Sequence, residues 1–157
     1  MAGNNASAGR PDHAIVNTRI FPAAPGAVFA AFSDPARLAQ WWGPAGFTNT
    51  FHAFDFRPGG RWRFTMRGPD GAAYEMEKRF ADIVPSDRIV LRHVQEGHDF
   101  SLIMTFNARG GGTEVTWDMR FDDPAEAEKL REFLGPANEQ NFDRLAAHLS
   151  ANPGVVR

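Results

Sequence analysis

Apolar positions recur with two different periods along this chain, and the switches between them mark its elements. Residues 13–21 carry Ile15, Val16 and Ile20 in a short extended run that Pro22 closes. Pro25 sits where a helix can start, because its missing N–H would be unpaired there anyway. Val28, Phe29 and Phe32 then give a short apolar face. Asp34 and Pro35 read as the cap and first residue of a second short helix, which carries Leu38, Trp41 and Trp42 and stops at Gly43. From Phe47 onward the helical period gives way to alternation. Residues 47–56 form one strand, and Pro58-Gly59-Gly60 turns the chain. In the next strand Trp62, Phe64 and Met66 alternate with Arg61, Arg63, Thr65 and Arg67. Gly68-Pro69-Asp70-Gly71 is a hairpin signal. The strand after it sets Tyr74, Met76, Lys78 and Phe80 against Glu75, Glu77 and Arg79. Residues 88–94, 100–108 and 113–121 complete the series, joined by Glu96-Gly97-His98 and Gly110-Gly111-Gly112.

This is an antiparallel meander with one apolar and one solvated face. The apolar face needs a cover, and the C-terminal stretch supplies one. Asp123-Pro124-Ala125-Glu126 has the cap, proline and acidic residue of a helix start. Leu130, Phe133 and Leu134 follow, and Gly135-Pro136 is expected to kink or break the helix. Phe142, Leu145 and Leu149 then fall on one helical face. The expected fold is α+β: a curved antiparallel sheet of about seven strands, two short helices, and a long C-terminal helix enclosing an apolar cavity. Residues 12–151 are expected to form a single domain, with residues 1–11 and 152–157 as tails.

Composition narrows the function. A chain of 157 residues fits one domain, and 43% hydrophobic with 23% charged residues is globular. A net charge of −2 argues against a nucleic-acid partner. The absence of cysteine excludes disulfides, Cys-ligated zinc, iron–sulfur clusters and a thiol nucleophile. Fourteen Phe and four Trp against one Tyr suit a packed apolar interior or an apolar cavity. Residues 1–11 lack the basic and apolar regions of a signal peptide, and no apolar run is long enough for a membrane helix. The expectation is a cytoplasmic protein with no membrane partner.

Five segments, in order, carry a resemblance. They are residues 21–35, Phe-Pro-Ala-Ala-Pro through Val28-Phe29 to Ser33-Asp34-Pro35; Leu38-Ala39-Gln40-Trp41-Trp42-Gly43-Pro44; Asp55-Phe56-Arg57-Pro58-Gly59-Gly60-Arg61-Trp62; residues 83–90, Ile-Val-Pro-Ser-Asp-Arg-Ile-Val; and residues 142–149, Phe-Asp-Arg-Leu-Ala-Ala-His-Leu. Together they resemble the START-like, or helix-grip, superfamily, and within it the single-domain bacterial homologues of the activator of the heat-shock protein 90 ATPase (SRPBCC type). The resemblance covers residues 13 to 150 and implies a cavity between sheet and C-terminal helix. Two positions depart from the pattern. Ala137-Asn138 stands where relatives often carry Gly-Trp, and Lys78 where glycine is frequent. Ligand identity therefore does not carry over.

The candidate ligand-binding residues are Trp62, Phe64, Met66, Met76, Lys78, His93, Met104, Trp117, Met119, Asn138 and Phe142. His93 shares parity with Ile89 and Leu91, so it is either an inward polar handle or a strand-end residue reaching water. Lys78 has inward parity, and a buried ammonium without a partner is costly. A bulge turns it out, it snorkels, or it meets an anionic ligand group. Trp41-Trp42-Gly43-Pro44 either packs the second helix or borders the cavity mouth, and Asp55 with Arg57 orients a turn. No nucleophile elbow, phosphate loop or dinucleotide fingerprint is present.

The first functional reading is binding of a small apolar or aromatic molecule. The second is a polyketide cyclase or aromatase-like enzyme in which His93 or Lys78 moves a proton, without metal or nucleotide cofactor. The third, suggested by the family alone, is a co-chaperone-like interaction module; the activators carry a further N-terminal domain, for which this length leaves no room. A monomer or dimer is expected, with no cofactor. His52, His93 and His98 have no metal-ligand spacing. Dialysis against a chelator is therefore expected to leave the melting temperature unchanged; a drop of several degrees restored by zinc would point back to these histidines.

Overall fold

The computed structural model describes residues 14–93 and 99–152. The tail expected at 1–11, all of the tail expected at 152–157 except Asn152, and the turn with His98 lie outside the described residues. The order of elements is β1 (Ala14–Phe21), α1 (Pro25–Ser33), α2 (Pro35–Trp41), β2 (Thr48–Phe54), β3 (Arg61–Arg67), β4 (Ala73–Val84), β5 (Arg88–His93), β6 (Phe100–Arg109), β7 (Gly112–Phe121) and α3 (Pro124–Ala151). One sheet of 7 strands has the order β1-β7-β6-β5-β4-β3-β2, antiparallel throughout. Strands β2 to β7 meander, while β1 pairs with β7, so α1 and α2 carry the chain from one edge of the sheet to the other. The architecture is the expected α+β helix grip.

Two register shifts bend the sheet, one between Phe51 and Ala53 and one between Phe80 and Asp82. Each inserts an extra residue, which raises local twist and curvature. The first lets Phe51 and Phe54, three residues apart, both pack against Trp62. The second hands the inward position to Ile83, which pairs with buried Ile89, in place of Asp82. Lys78 lies before this shift and keeps its inward parity.

Local chemistry starts the helices. Asp34 accepts a hydrogen bond from the Ala36 N–H at 3.0 Å, and Asp123 accepts one from Ala125 at 3.0 Å, each followed by proline. α3 is one helix of 28 residues, about 42 Å long. Gly135-Pro136, expected to kink or break the helix, does not break it. Proline removes one hydrogen bond there, and β1 holds the helix beside it. Asn17 donates to the Gly135 carbonyl at 3.1 Å, and Arg19 pairs with Glu139 and Asp143 at 2.7 Å each.

The helix lies on the sheet through Phe142 and Leu145, both fully buried. Phe133 does not join them and is 66% exposed. Nine residues are two and a half turns, so Phe133 points away from the side on which Phe142 is buried. On the sheet, Trp62, Phe64, Trp117 and Met119 are buried, and Arg63 and Glu77 exposed. Arg120 is half-buried on the outer face, bound to Asp118 at 2.8 Å. Among the described residues no helix is long and apolar enough to cross a membrane.

Leu145→Ala is expected to destabilise the protein by about 2–5 kcal/mol, because it opens a cavity where helix meets sheet. Chemical denaturation measures this, and a loss below about 0.5 kcal/mol would place Leu145 outside the core.

Candidate functional site

The short helix α2 ends inside the protein, so its last carbonyls need donors other than water. Two side chains of α3 supply them. Arg144 Nη1 donates to the carbonyls of Trp42, Gly43 and Pro44 at 3.2, 3.0 and 2.9 Å, and Nη2 to that of Gln40 at 3.1 Å. Burial pulls this guanidinium below the ordinary arginine value. Asn141 donates to the Trp41 carbonyl at 3.0 Å and accepts from the Gly43 N–H at 3.1 Å. Gly43 has φ +104°, a backbone conformation that favours glycine, and a Cβ there would stand 3.2 Å from the Phe47 Cβ and press on the Met66 methyl.

This clasp fixes Trp42 between the layers. Its ring lies 5.1 Å from that of Trp62 and 5.3 Å from that of Trp117. Its other side borders an apolar groove of about 330 Å³. Gly43, Pro44 and Phe47 continue that wall, Met66, Tyr74 and Met76 come from the β3–β4 hairpin, and Phe133, Leu134 and Ala137 come from α3. Tyr74 is 47% exposed, so two large aromatic side chains, Tyr74 and Phe133, stand in water at the edge of the groove.

Three of the residues expected at a ligand site border this groove: Met66, Met76 and Asn138. Asn138 also donates to Asn17 at 3.1 Å, which ties α3 to β1. Trp62, Phe64, Met104, Trp117, Met119 and Phe142 are buried behind it. Trp62 stacks on Phe64 at 4.5 Å, and Trp117 meets Phe142 edge-on at 4.9 Å. Phe47, Phe133 and Ala137 were not foreseen. Tyr74 had a signal, since it shares parity with Met76. Phe133 had a misleading one, because it reads as a core position.

Lys78 and His93 face each other across β4 and β5 and are both 4% exposed. Lys78 Nζ lies 3.2 Å from His93 Nδ1 and 5.0 Å from the centre of the Phe100 ring, on which His93 stacks at 4.8 Å. Burial lowers the Lys78 ammonium to about 7 from 10.5. Neither alternative that kept these side chains in water holds. The indole Nε1–H groups of Trp62 and Trp117 are also buried, with no acceptor. His52 lies on the outer face, hydrogen-bonded to Thr65 at 2.7 Å, and so is apart from His93. Asp55 and Arg57 form an exposed pair at 2.8 Å beside the turn. Among the described residues no three His, Asp or Glu side chains converge as a metal site would need.

The lysine has a consequence for stability. Its unfolded form holds a proton up to about pH 10.5, its folded form only to about 7, so unfolding takes up a proton between those values. Stability should therefore rise with pH in that window, by at most about 1.4 kcal/mol per pH unit. Urea titrations of wild type and Lys78→Met between about pH 7.5 and 9.5 measure the difference. Parallel curves would mean that Lys78 is not held in a desolvated place.

The same architecture recurs in solved structures. A Chromobacterium violaceum protein is 26% identical, with 86% of this chain and 96% of that one covered and a TM-score of 0.74. The AHSA1 protein of Silicibacter pomeroyi is 24% identical over 88% and 98%, at 0.74, and a Rhodobacter sphaeroides protein 22% over 91% and 96%, at 0.82. At such identities the likeness of the last two is one of fold. No curated protein matches the chain. The family model described as Activator of Hsp90 ATPase homolog 1-like protein matches residues 22–150, and the chain belongs to that family.

Proposed function

We propose that this domain binds a small apolar or aromatic molecule in the groove between the β3–β4 hairpin and α3. The observation that carries the reading is the pair of exposed aromatic rings, Phe133 and Tyr74, beside a concave surface lined mainly by apolar side chains. A single exposed phenylalanine would mean little, but Phe133, 66% exposed, and Tyr74 border one continuous apolar concavity, the kind of patch that marks a binding surface. Met66 and Met76 form the floor, and methionine adapts to ligands of varied shape. Family membership agrees with a cavity-bearing fold but names no ligand.

Under this reading the candidate residues divide by depth. Met66, Met76 and Asn138 would touch the ligand at the groove, while Trp62, Phe64, Met104, Trp117, Met119 and Phe142 shape the interior beneath it. Lys78 and His93 would be the polar end of that interior. The same pair is what a cyclase-like enzyme would use, since it sets two proton-carrying nitrogens within hydrogen-bond distance inside an apolar fold. Turnover lost in His93→Ala with binding retained would mark that second reading.

The neutral probe N-phenyl-1-naphthylamine should bind with a dissociation constant of about 1 μM, near −8 kcal/mol, and quench tryptophan fluorescence. Ala137→Trp fills the groove from a half-buried helix position without touching the core, and should weaken binding by at least about tenfold. Phe133→Ser should weaken it about threefold to tenfold and leave the melting temperature within a degree or two. Unchanged binding by a folded Ala137→Trp protein would remove the groove as the site.

A further inference from the structure

The interior behind the groove holds hydrogen-bond donors without acceptors. Lys78 Nζ has His93 Nδ1 as its hydrogen-bond partner and the Phe100 ring beside it, and makes no ion pair with any described carboxylate. Trp62, its neighbour across β3 and β4, has a buried Nε1–H with no acceptor, and so does Trp117. Lys78 has donor capacity beyond its one partner, and each buried donor left without an acceptor is desolvated for no return.

These groups adjoin the groove. Met76 borders it, and Lys78 follows two residues later on the same face of β4, about 7 Å further along the strand. Trp42 borders it as well and touches both Trp62 and Trp117. A molecule entering at Phe133 would have to displace the Met76 side chain to reach the lysine, the next inward residue of β4.

We propose that the ligand is an acid, an apolar or aromatic body ending in a carboxylate or phenolate, and that Lys78 receives its anionic end. This rests on the groove being a ligand site. It goes further in assigning the polar end a charge and a receiver. An anion supplies acceptors for these buried donors, and it meets a cation that no carboxylate among the described residues neutralises. A carboxylate on the ligand also explains why the cation is tolerated, since the bound state pairs a charge that the free state leaves desolvated. Burial has moved the lysine close to neutrality, so ligand binding near pH 7 should draw a proton onto it.

The test compares 2-naphthoate with 2-naphthamide, which share an aromatic body and differ in charge, at about pH 6.5, where the lysine is largely protonated. N-phenyl-1-naphthylamine reports the groove independently. Wild type should bind the naphthoate at least about tenfold more tightly than the amide. Lys78→Met should reduce that preference to less than about twofold, keep the neutral probe's affinity, and keep or raise the unliganded melting temperature, because it removes a buried charge without orphaning a carboxylate. A lysine with only a structural role would lower the melting temperature and leave the preference alone. Equal affinity of wild type for acid and amide, with the neutral probe bound, overturns the acid and leaves the groove. A preference that survives Lys78→Met overturns Lys78 as its receiver. Failure of all three compounds to bind overturns the groove and the acid together. The wild-type comparison needs no variant, so it decides the ligand's charge even if Lys78→Met does not fold.

Discussion

The hold of Arg144 and Asn141 on residues 40–44 is the interaction on which the rest of this molecule depends. A two-turn helix that ends against packed side chains leaves carbonyls without intrahelical donors. One guanidinium answers the Gln40 carbonyl of the helix and those of Trp42, Gly43 and Pro44 just beyond it, and one amide answers that of Trp41 while taking the Gly43 N–H. Both side chains come from the long helix, so the short helix and the long one are fixed to each other by polar contacts rather than by apolar packing alone. Trp42 is thereby set against Trp62 and Trp117 on one side and the groove on the other. The wall of the candidate site is a consequence of satisfying a buried helix end.

The charges divide unevenly between the two faces of the sheet. Outside, arginines meet carboxylates repeatedly, as in Arg88 with Asp82 at 2.8 Å and Arg109 with Glu114 at 2.7 Å. Such exposed pairs contribute little each and serve register more than stability. Inside, Lys78 has an imidazole and an aromatic ring beside it and, among the described residues, no carboxylate. Buried polar groups of this kind weaken a fold unless something completes them.

Much of the fold was legible because alternation is strict in β3 and β7. In those strands a slip of one residue would have put arginine or glutamate on the helix side, so parity settled the register. The bulges were not legible. An extra residue at His52 or Ala81 leaves no mark in a run that still alternates on either side. Pro136 misled, because a proline states a local penalty and says nothing of the contacts from Asn17 and Arg19 that hold the helix across it. Parity did place Lys78 and His93 inward, but hydrophobicity argued for water, and only the three-dimensional surroundings decided between them. The groove was half visible. Met66 and Met76 come from the sheet, whereas Phe133 and the segment around Trp42 meet them only through the path of two helices.

The position of β1 bears on how the chain can be assembled. Residues 14–21 pair with residues 113–120, about a hundred positions away, while every other strand pairs with its successor in the chain. Contacts of such sequence separation form late, since loop closure must precede any gain from them. During synthesis the first strand is made first and needed last. Hairpins β2 to β7 can zip as they emerge from the ribosome, yet the edge beside β7 stays open until the opening segment returns to it. Over that interval β7 offers an unpaired strand edge, so the growing polypeptide is exposed to association with its own copies until β1 docks on β7.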